Sequence, residues 1–146
     1  EPGPPAPFAP APTRLEGLSP EDFVRAYIAD YESWNTYAYT VPERSSTKGM
    51  DAAQAAYAVL LEKYCPPGLD HQPIAFGSES SHDNAREAVV SAEATSGGCV
   101  VKTRHTKVFD TFSISSDYEY HLKKIDQRWF LTSVLYVDQD GKYEGL

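Results

Sequence analysis

Ser116-Asp-Tyr-Glu-Tyr-His-Leu-Lys-Lys-Ile-Asp-Gln-Arg-Trp-Phe-Leu-Thr-Ser-Val-Leu-Tyr-Val-Asp138 decides the fold of this chain. It reads as two long strands, residues 116–125 and 128–138, joined at Asp126-Gln127, a two-residue polar turn of the kind that closes a hairpin. In the second strand Trp129, Leu131, Leu135 and Val137 share one face, and Phe130, Val134 and Tyr136 share the other. An antiparallel strand with one wet face alternates with polar residues. Two apolar faces place this strand centrally, with helices over one side and more protein over the other. The sheet implied is strongly curved and wraps around helices.

Upstream of the hairpin, residues 86–95 and 99–109 form two further strands turned by Ser96-Gly97-Gly98. Residues 74–77 make a short strand and residues 78–83 a polar loop. Before them come two helices. Ser19 caps the first, with Pro20 at the first helical position, Glu21 and Asp22 at the positive end of the dipole, and Leu18 stapled to Phe23. Phe23, Tyr27, Tyr31 and Trp34 recur at spacings of four, four and three, one aromatic stripe on a helix running from 20 to about 39, which Val41-Pro42 stops. The second helix opens on Asp51 with Gln54 as a capping box, and Ala53, Tyr57, Leu60, Leu61 and Tyr64 form its apolar face. It ends before Pro66-Pro67-Gly68. Helices first and antiparallel strands after give an α+β chain.

The 146 residues suffice for one domain, residues 19–146, behind a Pro- and Ala-rich tail or linker, residues 1–18. With no initiator Met and no signal-peptide core, the expectation is a trimmed or processed fragment of a longer polypeptide. No apolar run approaches the roughly 20 residues that span a bilayer, so no membrane partner is expected. A formal charge of -8 argues against a phosphate-tracking surface, and with it nucleic acid, while favouring a basic protein partner. The acidity is concentrated: residues 51–100 hold seven acids against Lys63 and Arg86. Cys65 and Cys99 lack metal or redox spacing and read as two free thiols, in keeping with a cytoplasmic location.

Three stretches carry a resemblance: Tyr57-Ala-Val-Leu-Leu-Glu-Lys-Tyr-Cys65, Gln72-Pro-Ile-Ala-Phe-Gly-Ser-Glu-Ser-Ser-His-Asp83 and Tyr118-Glu-Tyr-His-Leu-Lys-Lys-Ile-Asp-Gln-Arg-Trp-Phe130. From about Ser19 onward the chain resembles the nuclear transport factor 2-like (cystatin-like) superfamily, and within it the bacterial immunity proteins of polymorphic toxin systems. The resemblance implies a cone-like roll, a curved antiparallel β-sheet wrapped around N-terminal helices. It also implies a cognate toxin domain as partner, bound by occlusion without catalysis and without a cofactor.

The superfamily includes isomerases and dehydratases, so a lyase or isomerase working in the cone is the first rival reading. A ligand-binding or self-associating scaffold, with a homodimer through the sheet face, is the second. Parity along the strands sorts the titratable groups. His121 shares a face with Glu119 and Lys123 and looks away from the core. His105 shares its face with Val101 and Thr103 and is the catalytic candidate, with Asp110 and Tyr31 as the groups able to approach it. Glu79, His82 and Asp83 form a polar cluster without metal-ligand spacing, so no metal is assigned. With Glu87 and Glu93 they are expected on an exposed acidic surface that meets a basic toxin. Phe23, Tyr27, Tyr31, Trp34, Tyr120 and Trp129 are core rings, or alternatively the lining of a cavity.

Overall fold

The computed structural model describes Leu15 and residues 17–40, 47–66, 82–126 and 128–144. Helices α1 (Pro20–Thr40) and α2 (Thr47–Tyr64) precede strands β1 (Glu87–Thr95), β2 (Gly98–Val108), β3 (Ser113–Ile125), β4 (Arg128–Asp138) and β5 (Gly141–Glu144). The strands form one antiparallel meander in the order β1-β2-β3-β4-β5, and both helices pack against one face. This is the expected α+β architecture, a curved sheet wrapped around N-terminal helices. No helix among the described residues is long and apolar enough to cross a membrane.

Local chemistry accounts for the element boundaries. Ser19 caps α1 by accepting a hydrogen bond from the Asp22 amide at 3.1 Å. Leu15 is buried and Leu18 packs on the core, so the ordered packing begins before Ser19. Helix α2 starts at Thr47, four residues earlier than the Asp51 box implied, because a capping pattern inside a helical run does not by itself stop propagation backwards. Asp126 takes φ 50° in the β3–β4 turn, a left-handed conformation that Asp tolerates. Gly97 takes φ 80° between β1 and β2. At Gly98 a Cβ would collide with the carbonyl oxygen of Leu122 on β3, so the hairpin crosses its neighbour there only with a glycine. The short strand expected at 74–77, the Val41-Pro42 stop and the tail through residue 14 lie outside the described residues.

The core is aromatic. Phe23, Tyr27 and Trp34 from α1 and Tyr57 and Tyr64 from α2 meet Val101, Tyr120, Leu122, Leu131 and Val134 from the sheet. Each such side chain contributes about 1.5–3 kcal/mol through the area it removes from water. The rings touch edge to face, with centroids 5.4 Å apart for Phe23 and Tyr64, 5.3 Å for Tyr27 and Tyr64, and 6.1 Å for Tyr27 and Tyr120. Helix α1 is further tied to α2 by the Trp34 indole, which donates to the Ala53 carbonyl at 3.1 Å. Buried Asp30 adds a second tie by accepting from Lys63 Nζ at 2.8 Å and from the Tyr64 hydroxyl.

Strand β4 departs from the expected reading in two ways. It lies between β3 and β5, but β5 is four residues long and pairs only with Leu135 to Asp138, so among the described residues β4 has a strand on both edges only towards that end. A β-bulge also changes which residues share a face, although both faces stay apolar, Phe130, Leu135 and Val137 lying outside. Leu131 pairs with Leu122 and Ser133 with His121, leaving Thr132 unmatched, its hydroxyl donating to the His121 carbonyl at 3.0 Å. The extra residue reverses the alternation. Leu131 and Val134, assigned to opposite faces by strict parity, are therefore both buried on the helix side.

Candidate functional site

The densest polar chemistry lies inside the sheet, where the segment entering β1 crosses β2 and β3. Asp83 shapes that segment: its carbonyl accepts from the Glu87 amide at 2.8 Å, and its Oδ1 accepts from the Arg86 amide at 2.9 Å. The turn sends Glu87 inward opposite His105, its register partner on β2. Thr103 and His105 share the inner face of β2, and Tyr120 comes from the same face of β3.

Glu87 is the hub. Its Oε2 accepts from the Tyr120 hydroxyl at 2.6 Å and from Thr103 Oγ1, and its Oε1 lies 2.8 Å from His82 Nδ1. The Tyr120 oxygen is also 2.8 Å from His82 Nδ1. An ionised carboxylate only accepts and the phenol has one hydrogen, so the network assigns a proton to His82 Nδ1. Burial works to raise the Glu87 pKa, but donation from His82, Thr103 and Tyr120 outweighs it and holds the group below 4.5. Burial and the neighbouring Glu87 charge push the Tyr120 phenol well above its usual range, and the same two causes push Tyr118 up to about 12. The His82 ring sits between the Tyr31 and Tyr118 rings, at centroid distances of 5.0 and 4.6 Å.

A second pair adjoins the hub. His105 Nε2 lies 3.2 Å from Asp83 Oδ2, which also receives Arg86 Nη1 at 3.4 Å. The expected interior position of His105 holds, but its carboxylate is Asp83. Asp110 is exposed beyond the end of β2. A histidine oriented by a buried carboxylate has the form of a general base, yet the pair and the hub are largely closed by bonds among their own members.

These positions correct the expected partner surface. His82, Asp83 and Glu87 are buried, at 7%, 3% and 4% exposure, rather than displayed on an acidic loop. The physical reason is that the inner faces of β2 and β3, with Arg86, supply the donors that make burying two carboxylates tolerable. Glu79 lies outside the described residues. Glu93 is exposed, 3.6 Å from Lys102. The six rings expected in the core or around a cavity divide: Phe23, Tyr27, Trp34 and Tyr120 are fully buried against other rings, whereas Tyr31 and Trp129 are half-buried at its margin. Lys124 Nζ stands 5.4 Å from the Trp129 ring centre. Thr103 and the Asp83–His105 pairing were not singled out from the sequence. The usable signal was the shared parity of Val101, Thr103 and His105.

The outer face of the sheet carries a shallow depression of about 200 Å³ between Val90, Lys102, Arg104, Asp117, Glu119 and Val137. Its charges are cross-paired: Arg104 Nε to Asp117 at 2.8 Å, and Glu119 to Lys142 at 2.9 Å and to His121 at 3.0 Å. His121 thus faces outward, as its parity implied. Among the described residues no group of three or more His, Cys, Asp or Glu side chains is placed to hold a metal ion. The chain matches no protein-family model, no curated protein and no solved structure at a significant level.

Proposed function

We propose that this chain is a non-catalytic immunity protein of a bacterial polymorphic toxin system, with a nuclear transport factor 2-like scaffold, acting in the cytoplasm. It binds a cognate toxin domain and blocks it by occlusion. The observation that carries this reading is the direction of the polar chemistry. Glu87, Thr103, Tyr120 and His82 bond to one another and Asp83 bonds to His105, which makes the interior a rigid support. Recognition then falls to the surface of an acidic body, which attracts basic partners. The resemblance of the three quoted stretches supplies the toxin as the partner class. Co-expression with the polypeptide encoded immediately upstream tests the reading: growth is restored if it holds, and unrelieved toxicity, or a neighbour with no toxin domain, counts against it.

One observation favours a second reading, a lyase or isomerase: the His105–Asp83 pair has the geometry of an oriented base. That reading requires turnover of a small carbonyl or hydroxyl substrate that disappears in His105→Ala while the fold survives. Binding of the toxin domain unaffected by His105→Gln would favour the immunity reading over it.

A further inference from the structure

The β2–β3 hairpin projects beyond the rest of the sheet. Pairing of β1 with β2 begins at Glu87 and His105, and pairing of β3 with β4 ends at Asp117 and Val137. The β2–β3 ladder continues past both, through Thr106–Ser115, Lys107–Ile114 and Val108–Ser113. The Phe109 amide closes the tip by donating to the Phe112 carbonyl at 2.7 Å. A two-stranded overhang without a covering layer is expected to be polar. This one exposes Val108 by 80%, Phe109 by 45%, Phe112 by 56% and Ile114 by 52%.

Single exposed apolar side chains are ordinary, but four on one projecting tip, Val108 and Ile114 on its opposite faces and the two Phe at its end, mark a contact surface that a cleft encloses from both sides. Phe109 and Phe112 are stacked, with centroids 4.8 Å apart and planes at 21°. Rings held this way lose little freedom on docking, which is the property of good anchors.

Charge selects the occupant. Asp110 is exposed within the tip, and the β4–β5 turn at the same end of the sheet exposes Asp138 and Asp140. That turn is itself fixed, because Asp138 Oδ1 accepts from the amides of Asp140 at 2.8 Å and Gly141 at 3.0 Å. Of the cations nearby, Lys107 lies within the overhang opposite Ile114, and Arg104, Arg86 and Lys142 are paired with Asp117, Asp83 and Glu119, so around the end of the tip the acids Asp110, Asp138 and Asp140 stand against Lys107. An apolar tip flanked by acids fits an apolar cleft bordered by Lys and Arg, and would be repelled by anionic lipid.

We infer that the β2–β3 tip, through Phe109 and Phe112 with Val108 and Ile114 around them, is the anchor that inserts into a basic-rimmed apolar cleft of the partner protein. The inference rests on the immunity reading and names its contact surface. Its test compares wild type, Phe109→Ser/Phe112→Ser, Val108→Lys and, as a control for loss of an exposed apolar side chain away from the tip, Val59→Ser on α2. Each is assayed by growth rescue against, and by titration with, the polypeptide encoded immediately upstream. The double variant is expected to raise Kd at least about thirtyfold and to lose rescue. Val108→Lys, which sets a cation against the basic rim, is expected to weaken binding in the same direction even if the double variant misfolds. Val59→Ser is expected to bind as wild type. Wild-type rescue with both tip variants binding normally overturns the tip assignment and leaves the immunity reading standing, whereas wild type failing to bind or rescue removes both. Two further results overturn the inference: flotation of wild type with phosphatidylcholine vesicles that the tip substitutions abolish, or a dimer in sedimentation that they dissolve.

Discussion

Replacing Tyr120 by Phe removes one oxygen from the buried hub and leaves the ring in place, still 6.1 Å from Tyr27 and 5.8 Å from His82. The deleted hydroxyl donates to Glu87 Oε2 at 2.6 Å and lies 2.8 Å from His82 Nδ1. A hydrogen bond to a charged acceptor contributes about 1.5–3 kcal/mol, and the site is too buried for bulk water to replace it. The expected loss of stability is therefore about 2 kcal/mol, which lowers a urea midpoint by about 1 M for a slope near 2 kcal/mol/M. The effect has a pH signature. Burial opposes ionisation of Glu87, but its donors hold it ionised below 4.5, so its stabilisation is complete above that value and is lost as pH falls through the lower folded pKa. Losing one donor narrows that gap. The wild-type advantage should consequently be largest at neutral pH and shrink in acid, as pH falls through the lowered folded pKa. Urea unfolding followed by tryptophan fluorescence at neutral and at acid pH checks it. An unchanged midpoint at neutral pH, or an advantage constant with pH, would refute the hub as a charge-centred network.

Other outcomes follow from single contacts. Gly98→Ala should destabilise strongly or shift the β1–β2 hairpin, because its Cβ meets the Leu122 carbonyl; Gly97→Ala should cost only about 1–2 kcal/mol from left-handed strain, since nothing lies within 4 Å. Thermal melts of the pair separate collision from strain. Asp30→Asn weakens the tie from α1 to Lys63 and Tyr64 and should cost about 2–3 kcal/mol, read as a lower urea midpoint without a change in slope. Burial pushes the Cys65 thiol up to about 12 and raises that of Cys99, so neither should react with a thiol reagent at neutral pH until the chain unfolds; rapid labelling of the native protein would contradict their placement.

Much of the architecture was legible because its causes are local. The cap at Ser19, the aromatic spacing of α1, the glycine turn after β1 and the Asp126 turn each depend on a few adjacent residues, and each stands where periodicity implied. Strand parity also placed His105 inward and His121 outward. It failed at Thr132, since one unmatched residue reverses the alternation and nothing in the composition of β4 announces it.

Among the described residues, the sequence by itself determined the α+β class, the two helices and four of the five strands, because hydrophobic period and turn chemistry are written within short windows. Only the tertiary structure decided the fate of His82, Asp83 and Glu87, which in sequence look like any solvated acidic loop. Their burial depends on partners 38, 22 and 16 residues away, at Tyr120, His105 and Thr103. A carboxylate enters a protein interior only where donors await it, and the sheet register that gathers those donors is a property of the whole fold.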